Sequence, residues 1–110
     1  MKPEASKFLL DILGSIDSIY SFLGETNDYN VYLNDKMLRR AVEREFEIIG
    51  EAMNRLSKTD PDIQISSSQQ IISMRNRVIH GYDAVDDEIV WGTIQRHLPL
   101  LKAEIQKLLK

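Results

Sequence analysis

Apolar residues recur at steps of three and four through most of the chain, the spacing of one face of an α-helix. Four helical segments follow from it. The first covers about residues 3–23, with Leu9, Ile12, Ile16, Ile19 and Leu23 on one stripe. Pro3 is tolerated in its first turn, and the polar run from Gly24 to Asp28 ends it. The second covers about residues 35–58, with Leu38, Val42, Ile49, Met53 and Leu56 on the stripe and Phe46 and Ala52 beside it. Asn34 is placed to cap it with a side-chain oxygen, and Asp60-Pro61 stops it, since proline cannot continue the ladder. The third covers about residues 67–82, with N-cap candidates in Ser66, Ser67 and Ser68 and a terminator in Gly81. The fourth covers about residues 87–109 and carries the seam Val90, Ile94, Leu98, Leu101, Ile105 and Leu108. Asp86, Asp87 and Glu88 put negative charge at its positive dipole end, and Pro99 predicts a kink near His97 or Leu98. No stretch alternates strictly between apolar and polar. The expected fold is all-α: an antiparallel bundle of four to five helices, one domain over residues 1–110.

Composition narrows this picture. At 110 residues, 43% hydrophobic and 28% charged, the chain resembles an average soluble domain with a real core. It holds no cysteine, which excludes disulfides and thiolate metal sites. No apolar run approaches the ~20 residues of a membrane span. Met1-Lys2-Pro3-Glu4 brings acid ahead of the first apolar residues, with no small-residue cleavage site, so no signal peptide and a cytoplasmic location are expected. The net charge of −3 argues against a broad phosphate-gripping surface; any contact with nucleic acid has to be local, made by a few arginines. An acidic surface also suits a basic protein partner.

The densest chemistry lies in Arg75-Asn76-Arg77-Val78-Ile79-His80-Gly81-Tyr82. At ~100° per residue, Ile71, Ile72, Met74, Val78 and Ile79 spread over one broad arc, and Arg75 falls in its middle. A buried, unpaired guanidinium costs several kcal/mol, so Arg75 needs a partner or a groove. Glu45, in the apolar stripe of the second helix, is one partner; a bound phosphate, held by the arginine fork, is another. His80 either closes a helix end, where a cation is favourable, or exchanges a proton near neutral pH. Asn76 lies four residues before it, on a neighbouring face. Arg77 points away from the arc, as a solvent-side or phosphate-steering cation, and Tyr82 is either a packed aromatic or an accessible phenol. His97 has no partner in its spacing. The arc is wider than a single seam requires, which suits a two-fold dimer.

With its motif of an arginine, a polar residue, three variable positions, a histidine, one spacer and a tyrosine, the chain resembles the HEPN superfamily. Within it, the resemblance is to the small HepT-like ribonuclease toxins paired with a minimal nucleotidyltransferase antitoxin. Supporting matches are Asp35-Lys36-Met37-Leu38-Arg39-Arg40-Ala41-Val42, Glu47-Ile48-Ile49-Gly50-Glu51-Ala52 and Trp91, and the likeness covers nearly the whole chain. It implies an all-helical homodimer acting as a metal-independent endoribonuclease within a type VII-like toxin–antitoxin system. It implies catalytic roles for Arg75 and His80, with Asn76 in support. It also implies that the antitoxin transfers AMP to Tyr82.

The residue chemistry is compatible with that expectation. RNA carries its own nucleophile, the 2′-hydroxyl, so cleavage needs a proton carrier and phosphate stabilisation but no metal or other cofactor. Two histidines seventeen apart without cysteines give no metal-ligand pattern, and neither a Gly-rich phosphate loop nor a nucleophile elbow occurs. Two other readings use the same residues. One is a non-catalytic helical dimer that docks a nucleotidyltransferase or binds nucleotide through Arg75 and His80. The other is a purely structural bundle in which Arg75 pairs with Glu45.

Overall fold

Six helices form among the residues that the computed structural model describes, 1–66, 68–73 and 87–110, and no strand is found among them. They are α1 (Pro3–Leu23), α2 (Tyr29–Leu33), α3 (Lys36–Thr59), α4 (described over 68–73), α5 (Asp87–Arg96) and α6 (Leu98–Leu108). The all-α expectation holds; the count exceeds the expected four to five.

Both additions have local causes. α2 is a single short helix of five residues, too brief for periodicity to reveal. Asp28 caps it by accepting the Asn30 N–H at 2.8 Å. The expected fourth segment divides into α5 and α6 at His97, where Pro99 falls in the first turn of α6. His97 still donates its N–H to Thr93 O at 2.9 Å, so the helix is interrupted without losing that bond. The N-cap of α3 is Asp35, not Asn34: the Asp35 carboxylate accepts the Leu38 N–H at 3.0 Å. Asn34 instead closes α2, with its Nδ2 donating to Asn30 O at 2.8 Å. Gly24 stops α1 with a φ of 58°, a left-handed turn that costs glycine little.

The stripes read from the sequence become the core. Leu9, Ile12, Ile16 and Ile19 of α1 are fully buried, as are Val42, Phe46 and Ile49 of α3. α1 packs mainly along α3, and α6 adds Leu98, Leu101 and Ile105 against the same cluster. Each such side chain contributes roughly 1.5–3 kcal/mol by leaving water. Ile71 of α4 is also in the core, while Ile72 is half-buried. The inward arc expected for the third segment is therefore real where it is described.

Polar ties join the ends. Lys2 Nζ donates to Thr59 O at 2.9 Å, linking the start of α1 to the end of α3. Ser66 donates both its N–H and its hydroxyl to the Glu104 carboxylate, so this serine anchors the approach to α4 against α6.

Candidate active site

Arg75, Asn76, Arg77, His80, Gly81 and Tyr82 lie outside the described residues, so the arrangement expected for them is neither supported nor opposed by the geometry. The described structure defines the two flanks of that stretch: α4 on the N-terminal side and the start of α5 on the C-terminal side.

On the C-terminal flank, elements distant in sequence converge. Arg39 of α3 pairs with Asp87, the first residue of α5, at 3.6 Å. Trp91 of α5 packs on Tyr32 with ring centroids 5.3 Å apart, and on Tyr29 at 6.1 Å. Glu43, one turn beyond Arg39, lies 3.5 Å from Arg40. Through Arg39, the Asp35–Val42 segment is thus tied to the start of the helix that carries Trp91.

The same cluster is electrostatically tense. Burial pushes the Glu43 carboxyl above its ordinary range; the Arg40 cation opposes this, and the Asp87 charge reinforces it. Burial likewise raises the Tyr32 phenol, with further upward pressure from Asp87 and Glu43. Tyr32 Oη and Arg39 Nε are buried with no hydrogen-bond partner among the described residues. Sequence reading named Glu45 as the inward acid of α3. Glu45 is half-buried, whereas Glu43 is only 7% exposed. The Arg75 side of the proposed Glu45 pairing is outside the described residues.

On the other flank, a cleft of about 530 Å³ opens between α4 and α5. Gln69, Gln70 and Ser73 line one wall; Ile89, Thr93, Arg96 and His97 line the other. Thr93 is buried, its hydroxyl donating to Ile89 O at 2.8 Å. Arg96 folds back over Gly92: a Cβ at position 92 would meet the Arg96 Nη at 2.4 Å. The missing side chain at Gly92 thus makes room for the guanidinium along its own helix. The sequence singles out none of these wall residues but His97, whose role it leaves open. The available signal was Arg96-His97 standing where Pro99 forces a break, directly across from the helix leading into Arg75.

Among the described residues no group of three or more acidic or histidine side chains is arranged to hold a metal ion. No helix among them is long and apolar enough to cross a membrane.

Fold and cleft together define a class: a small all-helical domain with a polar cleft beside the helix that leads into an arginine–histidine motif. The chain belongs to the HepT-like family, described as "Ribonuclease HepT-like", which matches residues 12–108. It is 34% identical to "Putative RNase MJ0125" of Methanocaldococcus jannaschii, over 99% of this chain and 94% of that protein. A second protein of that organism, "Putative RNase MJ1380", is 33% identical over 96% of each chain. "Probable ribonuclease HepT" of Thermococcus cleftensis is 34% identical over the full length of both. No solved structure matches the chain significantly.

Proposed function

We propose that this protein is a homodimeric endoribonuclease that cleaves RNA without a metal ion and serves as the toxin of a toxin–antitoxin pair. The observation that carries this reading is the family match: it spans residues 12–108 and so contains the whole Arg75–Tyr82 motif. The names of the relatives support its ribonuclease part. The helices are proposed to pack as an antiparallel bundle, which the tie from the start of α1 to the end of α3 favours.

In the proposed reaction the RNA 2′-oxygen attacks the adjacent phosphorus. His80 takes the 2′-hydroxyl proton or donates one to the departing 5′-oxygen. A P–O2′ bond forms and the P–O5′ bond breaks, leaving a 2′,3′-cyclic phosphate and a 5′-hydroxyl. Arg75 holds the phosphate oxygens and offsets charge that develops on them in the transition state. Asn76 orients His80 or the phosphate. The antitoxin is proposed to be a nucleotidyltransferase. The Tyr82 phenol, giving up its proton, would attack the α-phosphorus of ATP, releasing pyrophosphate and leaving AMP on the tyrosine oxygen. That anionic, bulky group would occupy the phosphate site beside Arg75 and exclude RNA.

The test is cleavage of RNA by purified protein in EDTA. Arg75→Ala and His80→Ala should each lower the rate about 10²–10⁴-fold while leaving circular dichroism unchanged. Undiminished cleavage in both variants would sink the assignment. Tyr82→Phe should escape the partner and show no mass increase on co-expression; if it is still fully neutralised, modification is not the mechanism.

A further inference from the structure

We propose that the cleft between α4 and α5 is a nucleotide subsite for single-stranded RNA, with Arg96 holding a backbone phosphate and Gln69 and Gln70 reading the edge of a base. The proposal rests on the ribonuclease reading, and it adds residues that the Arg75–His80 motif does not include.

Three observations carry it. The first is size: about 530 Å³ is within the ~300–1,000 Å³ of typical small-ligand sites, enough for one nucleotide. The second is charge. Although the chain carries 17 acids against 14 Lys and Arg, no carboxylate among the described residues lines this cleft. Other surface clefts that hold cations also hold acids: Lys7, Arg44 and Arg55 share theirs with Asp11 and Glu51, and Lys2 shares its cleft with Asp60 and Asp62. Arg96 is exposed and makes no ion pair with a described residue, whereas Arg44 and Arg55 are each bound to a glutamate on their own helix. A guanidinium in a cleft that holds no acid among its described residues is suited to a phosphate.

The third is position. Gln69 and Ser73 line the cleft, and in sequence Gln69, Ser73, Asn76 and His80 stand at i, i+4, i+7 and i+11, the spacing of a single helical face. α4, which forms this wall, is the element that precedes His80, the proposed general acid–base, in the chain. Gln69 and Gln70 each carry a donor and an acceptor on one planar group, the pattern that pairs with the exposed edge of an unstacked base. RNA occupying the subsite would therefore be a single strand.

The experiment measures binding apart from chemistry. A short fluorescein-labelled single-stranded RNA is titrated with the His80→Ala protein by anisotropy across a salt series. Arg96→Ala in that background should weaken binding about tenfold, the scale of one lost hydrogen bond to a charged group. The slope of log affinity against log salt should fall by about 0.7, one phosphate contact on a single strand. Arg96→Lys should recover the slope without recovering all the affinity, and Gln69→Ala should change base preference while leaving the slope intact. Unchanged affinity and slope in Arg96→Ala would overturn the subsite and leave the ribonuclease reading standing if the unaltered protein cleaves. Arg96-dependent binding by a protein that cleaves nothing would do the reverse. Absence of RNA binding would overturn both.

Discussion

Tyr32 offers the sharpest test of how the α5 flank is built. Its ring is fully buried against Trp91, yet its hydroxyl has no partner among the described residues. A buried hydroxyl without a hydrogen bond costs about 1–3 kcal/mol. Tyr32→Phe removes that oxygen and keeps the ring and its packing. The void left is on the order of 10 Å³, which at ~24 cal/mol per Å³ returns only about 0.2 kcal/mol of destabilisation. The variant should therefore be more stable by roughly 1–2 kcal/mol, a rise of about 4–8 °C in Tm for a domain of this size. Urea unfolding followed by tryptophan fluorescence is the direct assay, because Trp91 is the sole tryptophan and sits on the ring in question. A loss of 1 kcal/mol or more would show that the hydroxyl makes a stabilising bond, and the reasoning would fail. Alkaline pH gives a second readout. The folded-state phenol is raised, so the unfolded chain releases its proton first, and stability falls as pH climbs past the ordinary tyrosine value near 10. That component should be missing from Tyr32→Phe.

Two further outcomes follow from the same geometry. Glu43→Gln should raise stability at pH 7: burial lifts the folded-state carboxyl above its ordinary range, so stability is present below that range and lost as pH rises through the folded value. Thermal melts from pH 4 to 8 should show a flatter profile in the variant, and an unchanged profile would refute the account. Gly92→Ala should add about 0.5–1 kcal/mol through helix propensity, because the group its Cβ meets is the movable end of Arg96 rather than backbone. A lowered Tm would mean that the Arg96 guanidinium cannot leave its place over Gly92.

The inward stripes of α1, α3 and the α5–α6 pair were legible in the sequence because burial on a helix follows a fixed period. Leu9, Ile12, Ile16 and Ile19 could have been assigned to the core with no coordinates. The ends of α1 and α3 were legible for a local reason too, since Gly24 and Pro61 act on their own backbone. Capping was less readable. Asn34 and Asp35 are adjacent and both can cap, and only the presence of α2 decides that Asn34 serves its end while Asp35 opens α3. The motif Arg75–Tyr82 was visible as chemistry in a row, and its inclusion in the family match rests on sequence as well.

By itself, then, the sequence determined helical class, most of the core and the catalytic candidates, all of which depend on neighbours within a few turns. Tertiary structure decided what depends on side chains far apart in the chain. It set Arg39 against Asp87, enclosed the Tyr32 hydroxyl and the Glu43 carboxylate in low-dielectric surroundings, and placed Gln69 and Arg96 on one cleft. Periodicity tells which face of a helix turns inward. It carries no information about which face of another helix will meet it, and pairing, desolvation and cleft formation all arise at that meeting.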